Sequence, residues 1–411
     1  MEWLTVVYLV YTFIALYILT LFVLIYLQNK DRMYEIPPIK KQYKLSIVIP
    51  CFNAEKVIGE TIETLLKSNY PGLKQIIVSD DCSTDNSYKI AKMYEKRYPG
   101  KVKAVRTPKN TGRAAGAKNY GARFVRTELI GFTDDDSRPR NDAISNMIGF
   151  FNDSQVGGVT SRVLVQNRNN FLEKSQAIEY KIISFTRKLL GFVDSVYVTN
   201  GPLSIYRKKA FEECCGFSMT NWTEDIELTW HLVAKGYKIR MALSAKVYTI
   251  APTTFKQWFR QRLRWNVGGL QTINAYKSAF FRCGMLGLFI IPFFVVSWAL
   301  AIFGLLLITY RIVRMVLIKY LTASYSIEAQ TAILSMSDLD LTPSILIFFG
   351  TALFILGFTY NLLALAYSKE QDFKKHNLFQ ILGYMILYLT AYPAILIISV
   401  FNYIKGKKTW N

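Results

Sequence analysis

Residues 44–81 read KLSIVIPCFNAEKVIGETIETLLKSNYPGLKQIIVSDD. Lys44 to Pro50 is a short apolar run rich in β-branched residues, and the segment behind it repeats apolar side chains with a helical period. That period places Val57, Ile58, Ile62, Leu65 and Leu66 on one face. Pro71-Gly72 turns the chain, and Gln75 to Ser79 (QIIVS) opens a second strand. The unit recurs with a helix from about Asp85, a strand over Val102 to Arg106, a helix over 112–126 and a strand at Leu129 to Thr133. Such alternation predicts an α/β domain with a mostly parallel central sheet covered on both faces. Ligands in such sheets bind beyond the carboxyl ends of the strands. This chain places Asp80-Asp81 and Asp134-Asp135-Asp136 there.

Outward from this domain the chain becomes apolar. Residues 3–28 (WLTVVYLVYTFIALYILTLFVLIYLQ) carry no charge and exceed the about 20 residues a helix needs to cross a bilayer. A cleaved leader has a basic start, a shorter apolar run and a small-residue cleavage site. Here the run follows Glu2 and ends at Asn29-Lys30-Asp31-Arg32, so a retained anchor is expected. Three further stretches, about 285–309, 344–367 and 378–403, are also long enough to span. Of 50 Lys and Arg, 41 lie between Lys30 and Arg282, and the positive-inside tendency puts that region in the cytoplasm. Three later crossings would leave the C-terminal tail outside, against its Lys405, Lys407 and Lys408. A re-entrant break near Pro393 or an interfacial segment at Arg311 to Leu321 would change the count.

Composition excludes several classes. At 51% hydrophobic and 15% aromatic the chain is not disordered. Its five cysteines, Cys51, Cys82, Cys214, Cys215 and Cys283, are odd in number and lack C-x2-C spacing, which removes a disulfide scaffold and a zinc ribbon. The net charge of +21 comes without interleaved basic and aromatic RNA-binding signatures, so no nucleic-acid partner is expected. Anionic lipid headgroups or a phosphorylated donor account for the charge. Three adjacent acids at 134–136 repel one another unless a cation or basic group offsets them. Hard cations such as Mg2+ take carboxylate and phosphate oxygens; by spacing alone, that reading and a solvated turn both stay open. Asp85 in STDNS reads as a helix cap.

Taken together, these residues resemble a family 2 glycosyltransferase. SIVIPCFNAE, containing Pro50, Phe52 and Glu55, is similar to the family's nucleotide-binding strand and loop. VSDDCSTDNS resembles its VDDGSTD segment, with Cys82 where glycine is usual. The resemblance implies that Asp80 and Asp81 face the uridine of a UDP-sugar. FTDDDSRP matches the D-x-D segment, implying Asp134 and Asp136 as ligands of Mg2+ or Mn2+. NTGRAAGAKNYGAR resembles the segment whose basic residue, here Arg113, meets the donor diphosphate. WTEDIELTW is similar to the T-E-D motif whose aspartate, here Asp225, is the base, with Glu224 beside it. QRLRW is similar to the Q-x-x-R-W motif of cellulose, chitin, hyaluronan and poly-N-acetylglucosamine synthases. It implies an interfacial helix on which Gln261, Arg264 and, in support, Arg262 meet the donor and Trp265 supports the acceptor sugar. GPLSIYR places Gly201 on the acceptor side by resemblance to hyaluronan and chitooligosaccharide synthases.

The implied fold is a GT-A-like nucleotide-sugar domain with a mostly parallel sheet, joined to an α-helical transmembrane region. The implied division is 1–30 anchor, 31–253 glycosyltransferase domain, 254–282 interfacial helices and 283–411 membrane bundle. Chemistry agrees: transfer needs a base for the acceptor hydroxyl and cationic stabilisation of the departing diphosphate. Asp225 fits the first role; a metal on Asp134 and Asp136, with Arg113 and Arg264, fits the second. The leading expectation is an inverting, processive transfer from UDP-N-acetylglucosamine to a β-linked polysaccharide at the plasma membrane, the alternative a single-sugar lipid glycosyltransferase. Membrane lipids are expected partners, and a second copy or an accessory subunit is the expected source of further channel walls. Trp258 reads equally as an interfacial aromatic, and Arg260, Arg262 and Arg264 as a lipid-facing stripe. His231 reads as a helix-surface residue.

Overall fold

The structure is a computed structural model, which describes residues 3–329, 345–367 and 378–406. Eight strands form one sheet: β1 (Leu45–Cys51), β2 (Leu73–Asp80), β3 (Val102–Arg106), β4 (Leu129–Phe132), β5 (Arg138–Pro139), β6 (Val156–Val165), β7 (Ser204–Arg207) and β8 (Lys238–Thr249). Their order is β3-β2-β1-β4-β7-β6-β8-β5. The first four are parallel, in a register that sets Ile47 beside Ile76 and Val48 beside Phe132. Every residue of β1 is buried, which is why its sequence runs apolar instead of alternating. Beyond β4 the sheet departs from the simple repeat. β7 enters antiparallel between β4 and β6, and β5 pairs antiparallel with β8, so the sheet is mixed while remaining mostly parallel.

The helices in chain order are α1 (Trp3–Asn29), α2 (Ile58–Leu66), α3 (Ser87–Arg97), α4 (Ala114–Ala122), α5 (Ser145–Ile148), α6 (Phe171–Phe192), α7 (Lys208–Glu213), α8 (Glu224–Ala234), α9 (Phe255–Ala275), α10 (Ile291–Glu328), α11 (Ile345–Ala366) and α12 (Leu378–Ile404). Ile58, Ile62 and Leu65 of α2, with α3 and the 143–151 segment, cover one sheet face. Residues of α4, α7 and α8 cover the other. The loop after β2 turns through Cys82 at φ 60, a left-handed position that explains why a glycine would suit it.

Among the described residues, four helices are long and apolar enough to cross a membrane: α1, α10, α11 and α12. The segment from Arg311 to Leu321 is not a separate interfacial helix; it continues α10, whose 38 residues extend about 57 Å, nearly twice the hydrocarbon thickness. Pro393 sits inside α12 without ending it. Lys407 and Lys408 lie outside the described residues.

Helix α6 joins the two halves. Its Ile178 packs with Leu365 of α11 and Ile381 and Tyr384 of α12, while Phe185 meets Tyr26 of α1 and Tyr360 of α11. Fully buried, Leu189 and Leu190 contribute about 1.5–3 kcal/mol each. Thr186 Oγ1 and Tyr360 Oη are 2.7 Å apart. Sheet and membrane helices are thereby packed as one body around the site.

Candidate active site

The carboxyl ends of β1, β2 and β4 open into a cavity of about 1000 Å3. Pro50 and Phe52 line its entrance with Asp81. Asp81 accepts from Thr111 N at 3.0 Å, Thr111 Oγ1 at 2.8 Å and Thr107 Oγ1 at 2.9 Å, which fixes its carboxylate at the cleft wall.

The DDD turn lies deeper. Asp134, Asp135 and Asp136 all line the cavity. A Cβ on Gly201 would stand 2.3 Å from Asp134 Oδ2, so the carboxylate occupies the space that only glycine leaves. Burial first, then the neighbouring carboxylates, push Asp135 up to about 7, and burial with Asp134 pushes Asp136 up to about 6. Among the described residues no group of three His, Cys, Asp or Glu side chains is placed to cage an ion. The neighbouring carboxylates of Asp134 and Asp136 nonetheless offer hard-oxygen donors that suit a divalent cation completed by a donor diphosphate.

Asp225 lies in the first turn of α8, where its Oδ1 accepts the Ile226 N–H at 2.9 Å. Burial and then Glu224 raise it to about 6, against the opposing pull of Lys118 and Arg264. Glu224 behaves in the opposite way: burial works to raise it, but Lys118 at 2.9 Å holds it below the ordinary carboxylate range. Lys118 Nζ also lies 3.6 Å from Asp134 Oδ1. Burial works against the ammonium, and Glu224 and Asp134 outweigh it, so the charge is held. Lys118 escaped the sequence reading, although it stands five residues after Arg113 in the same segment.

Arg113 Nη1 donates to Asn221 O at 2.9 Å and Thr220 O at 3.2 Å, tying the α4 loop to the WTED segment. Helix α9 starts with a capping box between Thr254 and Gln257 and brings Gln261, Arg264 and Trp265 to the cavity wall. It docks closely against WTED. A Cβ on Gly268 would meet Thr223 Oγ1 at 2.2 Å, and Asn221 Nδ2 donates to Thr272 Oγ1 at 2.8 Å. The cavity then continues between candidate spans, past Phe293, Phe294 and Trp298 of α10 and Tyr384, Tyr388 and Tyr392 of α12.

Three candidates stand elsewhere. Asp80 is wholly buried behind Asp81, pairing with Arg106 Nε at 3.1 Å and accepting from Ser83 N at 3.2 Å, so it braces the loop and is not part of the cavity wall. Glu55 accepts from Asn86 N and Nδ2, both at 3.1 Å, and clamps two loops together outside the cavity. Arg262 points away from the donor end, fully buried against Glu179. Trp258 is also fully buried, its indole N–H donating to Tyr388 Oη at 3.3 Å, so neither residue faces lipid. Asp85 accepts from Ser87 N at 2.9 Å from one residue outside the N-cap of α3, which is Asn86.

A parallel sheet with acidic turns at its carboxyl ends, closed by an antiparallel strand and carrying an acid-led helix beside the cleft, is the GT-A-like glycosyltransferase architecture. Residues 42–268, more than half the chain, match the family described as "Glycosyltransferase like family 2", and the protein belongs to that family. It is similar to the poly-beta-1,6-N-acetyl-D-glucosamine synthase of Staphylococcus epidermidis, at 26% identity over 382 residues that cover 89% of this chain and 86% of that one. The synthase of the same name from Staphylococcus aureus strain COL is 27% identical over 231 residues, 56% of this chain and 55% of that one. A mannosyltransferase from Pyrobaculum calidifontis, solved with GDP-Man and Mn2+, superposes with a TM-score of 0.56 over 97% of this chain and 99% of its own. At 16% identity that likeness concerns the fold.

Proposed function

We propose that the protein is a processive, inverting synthase that extends a β-linked N-acetylglucosamine polymer from UDP-N-acetylglucosamine at the cytoplasmic face. The observation that carries this reading is the continuity of one cavity. It runs from Pro50, Phe52 and Asp81, past Asp134, Asp136 and Asp225, into an aromatic passage between α10 and α12. A donor held at the first end and a polymer leaving at the second would pass the same base. The sugar assignment rests on the relatives that are poly-N-acetylglucosamine synthases.

In this mechanism the uridine lies against Phe52 and Asp81. Arg113 and the amino end of α4 face the diphosphate, where guanidinium and helix dipole both favour negative charge. Asp134 and Asp136 would hold Mg2+ or Mn2+, which when bound neutralises charge on the leaving diphosphate. Asp225 takes the proton of the acceptor hydroxyl as its oxygen bonds to the anomeric carbon. The bond from that carbon to the phosphate oxygen breaks, and UDP leaves with the electron pair. Arg264 supports the departing charge, and Trp265 supports the acceptor ring from the opposite wall. One carboxylate on the acceptor side implies a single displacement, hence inversion.

The donor assignment is tested by incubating purified protein and Mg2+ or Mn2+ with UDP-N-acetylglucosamine, UDP-glucose, UDP-galactose and GDP-mannose separately. Preferential transfer from UDP-N-acetylglucosamine supports the reading; preference for GDP-mannose or UDP-glucose contradicts it.

A further inference from the structure

Arg262 is the residue whose place departs furthest from its sequence reading. Its guanidinium is fully buried, forms a two-pronged pair with Glu179 of α6 and has Nε 3.2 Å from Glu179 Oε1. The same carboxylate accepts a 2.5 Å hydrogen bond from Tyr388 Oη of α12. Tyr388 Oη in turn accepts the indole N–H of Trp258 at 3.3 Å. The guanidinium carbon, Arg262 Cζ, also lies 4.2 Å from the ring centroid of Trp265 and 5.6 Å from that of Trp258. One buried cation therefore links the catalytic domain, the Q-R-L-R-W helix and a membrane span, and it rests on the aromatic ring that lines the cavity.

From this geometry we infer that Arg262, Glu179 and Tyr388 form a positioning unit that sets Trp265 against the acceptor and ties that ring to α12, and that Arg262 has no part in holding the donor. The inference rests on the acceptor assignment of Trp265 made above. Three observations argue for it. Arg262 is not among the cavity-lining residues, whereas Glu179, Tyr388 and Trp265 are. Each of its three nitrogens is engaged, since Nη1 donates to Gln261 Oε1 while Nε and Nη2 donate to Glu179. A planar guanidinium that pairs through its edge keeps its face for stacking, so Glu179 fixes the rotation of the group on which Trp265 lies. Tyr388 is the point at which a shift of α12 would be felt, because its hydroxyl shares the carboxylate.

Four variants in full-length, detergent-purified protein test the unit: Arg262→Met, Glu179→Gln, Tyr388→Phe and the double variant Glu179→Gln/Arg262→Met. UDP affinity by calorimetry, the KM for a soluble N-acetylglucosamine oligomer at saturating donor and the product-length distribution are read for each. The expected result is UDP affinity within about twofold of the parent, an acceptor KM raised about tenfold or more, and shortened products. The double variant should be no worse than the worse single one, because members of one unit are not additive. Tyr388→Phe removes a single oxygen and is expected to shift acceptor KM and length in the same direction by a smaller factor, which keeps the test alive if the charge variants fail to fold.

A tenfold loss of UDP affinity in Arg262→Met would overturn the inference in favour of a donor role. So would an unchanged acceptor KM and product length in variants that fold. If the parent adds only one sugar, the polymer reading falls, yet the acceptor KM still decides the role of the unit.

Discussion

The ammonium of Lys118 donates to Glu224 Oε1 at 2.9 Å, joining helices α4 and α8 across 106 residues of chain. Lys118 is buried and the Glu224 side chain is only 16% exposed, and both line the cavity beside the residue proposed as the base. Breaking one side of a buried pair leaves an uncompensated charge. Lys118→Met is therefore expected to destabilise the fold by about 3–5 kcal/mol. The double variant with Glu224→Gln should regain part of that loss. Thermal unfolding of the three variants checks it; a double variant that is additive, with no recovery, would count against the pairing.

Asp225→Asn keeps the shape of the first turn of α8 and removes the proton acceptor. Transfer should fall by about 10²–10⁴-fold while UDP binding is retained. Calorimetry alongside a transfer assay separates the two, and unchanged turnover would remove Asp225 from the mechanism.

The pH dependence follows from the same carboxylate. Asp225 is raised to about 6 by burial and then by Glu224. Below that value it carries the proton and cannot accept another, so transfer should rise with pH through about 6 and level off above. Glu224→Gln deletes a negative neighbour and lowers the pKa of Asp225. The acid limb should move to lower pH by roughly one unit, equivalent to about 1.4 kcal/mol. The profile is measured at saturating Mg2+ or Mn2+; a shift upward, or none, contradicts the electrostatic account.

Gly201→Ala is a change of one methyl group placed 2.3 Å from Asp134 Oδ2. Since Gly201 sits in an opening and not in a strand, folding should survive while Asp134 is displaced. The Mn2+ concentration for half-maximal transfer is expected to rise about tenfold, a difference of about 1.4 kcal/mol in ligand geometry. An unaltered metal titration would show that Asp134 does not hold the ion.

Cys82 adopts φ 60 and its Sγ lies 3.2 Å from Thr107 O. Glycine tolerates that backbone and loses only the weak sulfur contact, so Cys82→Gly should leave stability nearly unchanged. Cys82→Val places a β-branched side chain in the left-handed region and should cost about 1–2 kcal/mol. Comparison of the two melting temperatures is the check.

The first four strands and their helices were readable because burial on both sheet faces leaves uninterrupted apolar runs and a clear helical period, as in β1 and α2. The antiparallel entry of β7 was not readable. SIYR is a four-residue strand, and nothing in its local pattern states which way it runs or which neighbours it takes. Motif position likewise marked Asp134, Asp136, Asp225, Arg264 and Trp265, all brought to one cavity. Asp80, Glu55 and Arg262, marked by the same motifs, are not among the residues that line it, since a motif marks a location but not the direction of a side chain. Lys118 and Glu179 escaped for a related reason: each pairs with an oppositely charged side chain about 80–110 residues away, and no local spacing announces such a pair. The reach of α10 past Tyr310 was hidden by Arg311, Arg314 and Lys319, which broke the apolar run without breaking the helix.

If the cavity delivers a growing polymer to the membrane helices, the size of the product reveals it. Radiolabel from UDP-N-acetylglucosamine, incubated with purified protein and Mg2+ or Mn2+, is separated by gel filtration and by partition into organic solvent. The expected result is a ladder or a high-mass aqueous product that a hexosaminidase degrades. A single labelled species confined to the organic phase would contradict it and make the protein a lipid glycosyltransferase.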